Sequence, residues 1–185
     1  VIKNDGSWYL NGENTISSNI TGNGNIYMNS GMTDLSNSFV ENNTFTINSG
    51  SLKFSADTFS NANLVLNDGE LLIGDNNFID YNIKQLNIGN VFNLKIDVDV
   101  NNKLFDKFVV GAGSSGTLMI TEFSTFEMPE YEEYNELKIL ERLNPNDSIE
   151  LALSDELKSK PVANYSIERY FVDGHYEAND SDYIC

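Results

Sequence analysis

The sequence predicts an all-β chain, and within that class a parallel β-solenoid of about 19 residues per coil. Two observations carry this expectation. Apolar residues alternate with others over short runs, the period of a strand with one buried face. One six-residue pattern also returns at a fixed interval. Ile26-Tyr-Met-Asn-Ser-Gly31, Phe45-Thr-Ile-Asn-Ser-Gly50 and Leu64-Val-Leu-Asn-Asp-Gly69 each read apolar, any, apolar, Asn, Ser or Asp, Gly, spaced by 19 residues.

After each glycine the alternation resumes, in Met32–Leu35, Leu52–Phe54 and Leu71–Ile73, and a phenylalanine closes each unit at Phe39, Phe59 and Phe78. A weaker copy starts at Leu86-Asn-Ile-Gly89 and runs to Val100. Hairpins in an antiparallel sandwich would suit short strands at this density, but they give no reason for side chains to recur in step. Stacked coils do, because equivalent residues then lie about 4.8 Å apart on neighbouring strands. Stacking predicts a hydrogen-bonded ladder of Asn29, Asn48 and Asn67, corners turned by Gly31, Gly50 and Gly69, and an internal stack of Phe39, Phe59 and Phe78.

The repeat fades near residue 127. Residues 1–127 are expected to form the coils and 128–185 a β-rich C-terminal cap or closing module. Asparagine occurs 20 times in the first 100 residues and 7 times afterwards, whereas glutamate rises from 3 to 11, and Pro129, Pro145 and Pro161 all fall in the second part. Leu137–Leu143 suits a strand or a helix; Ser148–Leu153 and Tyr165–Val172 alternate like strands.

The 185 residues carry 11 Lys and Arg against 28 Asp and Glu, a net charge of −17. Nucleic acid is excluded as a partner on this reading, since phosphate binding needs clustered bases and the first hundred residues hold only Lys3, Lys53, Lys84 and Lys95. No apolar run is long enough to span a bilayer, so direct membrane insertion by this segment is not expected. The single cysteine, Cys185, permits no internal disulfide. The chain opens at Val1 without a signal-like pattern and is expected to be a fragment or processed product.

The coil sequence LVLNDGELLIGDNNF at 64–78, followed by NLKIDVDVNNKLFDKFVVGAGSSGTLMI at 93–120, resembles the passenger domains of bacterial autotransporter adhesins. Asp97, Asp99, Asp106, Lys107, Val109, Val110, Gly113, Ser115, Gly116 and Leu118 stand at positions characteristic of that family's Val-Asp-Val-Asp and Asp-Lys-Leu-Val-Val stretch. NELKILERL and YSIERYFVDGHY are similar to the strands that close such passengers. The resemblance implies a right-handed parallel β-helix exposed outside a bacterium, on the cell surface or secreted.

Few residues point to chemistry. Gly111-Ala-Gly113-Ser-Ser-Gly116 satisfies the glycine spacing of dinucleotide sites, but a strand-like Thr117–Thr121 follows where a helix must begin. Asp97, Asp99 and Asp106 are weak calcium candidates, with Asn101 as a further oxygen donor; the plainer expectation is an outward polar face alternating with inward Ile96, Val98 and Val100. Asp57 with Asn76 or Glu70 would be a glycosidase pair, although coils poor in Lys and Arg suit no acidic substrate. His175 reads as a turn residue. Trp8 and Tyr9 form either a sugar-stacking platform or the cover of an open coil. The five glycosylation-type sequons, at Asn19, Asn42, Asn146, Asn164 and Asn179, match what so asparagine-rich a chain contains by chance. The expected function is therefore a non-catalytic adhesin or stalk that needs no cofactor and binds glycans or proteins of another cell. A carbohydrate-active enzyme and a structural protein self-associating through terminal coils are the alternatives.

Overall fold

The structure is a computed structural model that describes residues 1–99, 101–124, 137–159, 167–170 and 180–184; for 167–170 and 180–184 only the backbone is considered. The expected boundary at 127/128, Val100, Pro129, Pro161, the sequons at Asn164 and Asn179, His175 and Cys185 lie outside the described residues.

In chain order the strands are β1 (Ile2–Lys3), β2 (Ser7–Leu10), β3 (Asn14–Thr15), β4 (Ile20–Thr21), β5 (Asn25–Met28), β6 (Met32–Asp34), β7 (Glu41–Ile47), β8 (Ser51–Lys53), β9 (Phe59–Leu66) and β10 (Glu70–Leu71). They continue with β11 (Asp80–Ile96), β12 (Val98–Asp99), β13 (Leu104–Phe105), β14 (Lys107–Val110), β15 (Ser115–Phe123), β16 (Leu137–Arg142) and β17 (Ser148–Leu153). A short helix α1 (Asp155–Lys158), capped by the Ser154 hydroxyl, precedes β18 (Ile167–Tyr170) and β19 (Asp180–Ile184). The chain is all-β, and its sheets are predominantly parallel.

The largest sheet has 11 strands and runs β18-β19-β16-β14-β11-β9-β7-β5-β2, with β15 and β17 joined alongside. A 4-stranded parallel sheet runs β10-β8-β6-β3, and β1 pairs with β4 in parallel. From β1 to β11, strands that follow one another in sequence lie in different sheets and pair with counterparts in the neighbouring rows, whereas β14 to β19 all join the large sheet. In the first rows the step is short and nearly constant: Ser7 pairs with Asn25, Asn25 with Thr44 and Thr44 with Asn63, while Thr33, Leu52 and Asn14 keep the same step in the smaller sheet.

The step then grows. Leu86 pairs with Leu64, Phe108 with Tyr81 and Leu140 with Phe108, so the weak copy at Leu86–Gly89 belongs to a wider row than the 19-residue repeat implies. The extra length enters as a loop before β11 and as an antiparallel β12–β13 hairpin. The last strand pairings, β16 with β19 and β18 with β19, are also antiparallel. Leu137–Arg142, ambiguous in sequence, is a strand because Phe108, Val109 and Val110 offer it a parallel edge.

One apolar core runs through the rows, from Leu10, Ile26 and Met28 through Phe45, Leu64, Leu86 and Phe108 to Leu140 and Leu151. These are the alternate residues of each strand, as period two requires. The expected aromatic stack needs correction. Phe59 is buried, but Phe39 is 47% exposed and Phe78 only half-buried. Val40 takes the inward place, bridging to Ile20, and strict alternation turns Phe39 outward. The internal rings are Phe45, Phe59, Phe54, Tyr81 and Phe108, in contact at centroid distances of 5.5, 5.5, 4.8 and 5.6 Å.

Two substitutions in opposite directions test this packing. Thr33 is fully buried and its hydroxyl has no hydrogen-bond partner among the described residues, so Thr33→Val is expected to raise unfolding free energy by about 1 kcal/mol. Gly50 holds φ +94° against the carbonyl oxygen of Gly31, so Gly50→Ala is expected to cost about 2–4 kcal/mol. Urea denaturation of the two variants beside the parent checks both signs.

Candidate functional site

The site is built from two features of the stack: an outward face made by equivalent positions of successive rows, and corners that hold those rows in step. At one corner the Asn48 side-chain amide donates to Asn29 Oδ1 at 2.9 Å and the Asn67 amide donates to Asn48 Oδ1 at 2.8 Å. The neighbouring glycines, Gly31, Gly50 and Gly69, have φ of 75°, 94° and 105°. A Cβ at Gly31 would collide with the Gly12 carbonyl oxygen, one at Gly50 with that of Gly31, and one at Gly69 would sit 2.5 Å from that of Gly50. The corner therefore needs glycine for its backbone angles and for the closeness of the next row.

Beside this corner the large sheet turns a flat face to solvent. Two columns run across its strands, Ser7, Asn25, Thr44, Asn63 and Gln85, then Tyr9, Tyr27, Thr46, Val65 and Asn87, of which Ser7, Asn25 and Tyr9 are exposed, Thr46 is buried and the rest are half-buried. None of the ten is charged, in a chain with a net charge of −17. Charged residues stand elsewhere on the same strands, at Glu41, Asp80, Lys84 and Lys95, as they do on the 4-stranded sheet at Asp34, Lys53 and Glu70. At one end of these columns the Tyr9 and Tyr27 rings stack with centroids 5.2 Å apart and planes 18° apart, and Tyr9 is 59% exposed. Trp8 points the other way and packs against the core, so the two adjacent aromatics split between covering the core and facing solvent. Reading every second residue across the 19-residue repeat, rather than along it, would have exposed this face.

The acidic candidates have another role. Asp97 and Asp106 are fully buried, so the outward polar face expected for Asp97 is corrected. Asp97 Oδ2 accepts the backbone N–H groups of Asp75 and Asn76 at 2.8 and 2.6 Å, and Ser124 Oγ donates to its other oxygen. Asp106 accepts from Ile79 N at 3.1 Å and from Asp97 N at 2.8 Å, and its own N–H donates to the Asp97 carbonyl. These carboxylates replace the missing ladder partners of the loop before β11 and pin the base of the β12–β13 hairpin, where the rows widen. Asp99 stands apart on the hairpin and accepts from the Asn102 backbone and amide at 3.0 and 2.8 Å, which hold its carboxyl below the ordinary range. Among the described residues no group of three His, Cys, Asp or Glu is placed to hold a metal ion.

A third buried acid, Asp147, closes the glycine-rich turn. Its oxygens accept from Gly113 N at 3.1 Å, Ser114 N at 3.2 Å and the Asn144 amide at 2.9 Å. An internal carboxylate thus occupies the anion-binding backbone of Gly111–Gly116, and β15 rather than a helix follows. Of the glycosidase candidates, Asp57 accepts from the Asn82 amide at 2.8 Å, Glu70 from the Ser51 hydroxyl at 3.3 Å, and the Asn76 N–H is held by Asp97. Sequence reasoning missed Asp147 and the Lys107–Glu141 ion pair at 2.7 Å, because the partners stand on neighbouring rows but far apart in sequence.

Burial pushes the Asp106 carboxyl up to about 7 against its two backbone donors, with Asp97 and Asp75 adding repulsion. Burial likewise raises the Tyr81 phenol beside these acids. No family model, no curated protein and no solved structure matches this chain.

The Asp106 shift fixes a sign. Between its ordinary value of 3.8 and about 7 the folded chain holds a proton that the unfolded chain releases, so stability is greatest below that window and falls as pH rises through it. The melting temperature is expected to drop from pH 4.5 to pH 7.5, and Asp106→Asn to flatten that slope. An equal slope in parent and variant would assign the pH dependence to other groups.

Proposed function

We propose that the rows wind as one right-handed parallel β-helix with a C-terminal cap, and that the chain is a non-catalytic stalk and adhesin segment displayed on a bacterial surface or secreted. The observation that carries this reading is the unbroken parallel register of Tyr9, Tyr27, Thr46, Val65 and Asn87, each on the next strand of one sheet. A stack held by backbone bonds between rows is stiff along its axis and repeats any weak contact at each step, the geometry of multivalent attachment. The buried acids support the absence of catalysis, since Asp97, Asp106 and Asp147 spend their oxygens on backbone N–H groups. The resemblance of residues 64–78 and 93–120 to autotransporter passengers supplies the proposed location. Glycans or proteins of another cell are its partners on this reading, and no cofactor is required.

Small-angle scattering tests the proposal. The nine-strand path of the large sheet has eight steps of about 4.8 Å, so the row axis should extend about 38 Å. An elongated particle is expected, and a sphere would sink the reading.

A second reading, self-association through a terminal row, is favoured by Gly12. It shares the positive φ of the corner glycines, at +77°, yet nothing lies within 4 Å of its Cβ position, which in later rows is filled by a carbonyl. On that reading sedimentation shows association that grows with concentration and disappears in Gly12→Val; a monomer at all concentrations rejects it.

A further inference from the structure

We infer that Asn11 is a site of spontaneous modification: the Gly12 nitrogen closes on its side chain and water converts it to aspartate and isoaspartate, while Asn23, which also precedes a glycine, is spared. Asn11-Gly12 and Asn23-Gly24 are the two Asn-Gly pairs in the chain. Glycine is the follower that hinders such a closure least, since it has no side chain and its backbone turns freely. In later rows a serine or aspartate separates the corner asparagine from its glycine, in Asn29-Ser30-Gly31, Asn48-Ser49-Gly50 and Asn67-Asp68-Gly69. The first corner is one residue shorter. Leu10 pairs with Met28 and Asn14 with Thr33, so Asn11, Gly12 and Glu13 span what Asn29 to Met32 span one row later. That shortening sets the corner glycine directly behind the asparagine.

The two pairs differ in access. In this chain Asn11 and Gly12 are both exposed, nothing lies within 4 Å of the Gly12 Cβ position, and the Gly12 N–H donates to Ser30 Oγ at 3.4 Å, a length at which little holds it. Gly24 is buried in its row. Its N–H donates to the Asn4 carbonyl at 2.9 Å, its Cβ position lies 2.4 Å from the Gly6 carbonyl oxygen, and the Asn23 N–H is held by Asp5 Oδ1 at 3.2 Å. The row must open locally before the Gly24 nitrogen can turn toward the Asn23 side chain. At Asn11 the bond that forms joins Gly12 N to Asn11 Cγ. The bond that breaks releases the side-chain nitrogen as ammonia, which carries off the Gly12 proton, and water then opens the ring at either carbonyl. Both products add one negative charge to the corner. The isoaspartyl form also routes the main chain through the former side chain, lengthening the shortest corner by one carbon.

The test incubates the full folded chain at mildly alkaline pH and follows each asparagine by peptide mass mapping, with isoaspartyl methyltransferase labelling to count the rearranged product. Asn11 is expected to exchange its amide for an acid at least about tenfold faster than Asn23. In urea the bonds that hold Gly24 are gone, and the two are expected to convert at similar rates. Inserting a serine between Asn11 and Gly12 rebuilds the corner of the later rows and is expected to slow conversion at Asn11. The inference is overturned if Asn11 keeps its amide, if Asn23 converts as fast in the folded chain, or if the inserted serine changes nothing. A difference that persists undiminished in urea overturns it too, by placing the selectivity in the local sequence and not in the fold. The comparison of folded and urea-treated parent decides the matter even where the insertion variant folds poorly.

Discussion

Everything in this chain depends on how closely one row can approach the next. A strand two to four residues long buries too little to persist alone, and here strands such as Met32–Asp34 and Ser51–Lys53 survive because the rows before and after them saturate their backbone bonds. That saturation is possible only if the corners are as thin as the strands. Gly31, Gly50 and Gly69 meet the requirement by leaving room for the preceding glycine's carbonyl, and the adjacent asparagine amides bind one another across the same gap. A methyl group at such a corner would lift two rows apart and weaken every ladder bond on both sides of it.

Where the rows lengthen, thin corners no longer suffice, and carboxylates take over. The loop before β11 and the β12–β13 hairpin interrupt the ladders, leaving backbone N–H groups of Asp75, Asn76 and Ile79 facing inward, and Asp97 and Asp106 accept them. Asp147 does the same for the turn at Gly113 and Ser114. Burying Asp106 costs desolvation that its hydrogen bonds only partly offset, and its raised carboxyl records the remainder. In this light the aspartates that caught the eye in sequence are mortar for irregular rows.

The all-β class, the parallel stacking of 26–31, 45–50 and 64–69 and the corner positions were legible because they arise from a repeated local pattern. What was not legible came from pairs far apart in sequence. Phe39 looks equivalent to Phe59 by spacing, but Val40 reaches the core first. The burial of Asp97 follows from a loop 21 and 22 residues earlier whose N–H groups needed acceptors, and no local window contains both partners. The candidate face was half legible: Tyr9 could be singled out, whereas its stacking on Tyr27 requires knowing which strands are neighbours.

The uneven row lengths also decide which alignment the chain accepts. In the first rows the step hardly varies, from Ser7–Asn25 to Thr44–Asn63, and the residues at equivalent positions are nearly interchangeable. Slipping by one whole row would therefore preserve most apolar contacts, and nothing in that half distinguishes the correct alignment from its neighbours. The wider rows remove this degeneracy, since β11, with 17 residues, matches no other described strand in length, and Asp97 and Asp106 after it accept from the loop just before it. The irregular half thus serves as the phase reference from which the uniform half takes its count.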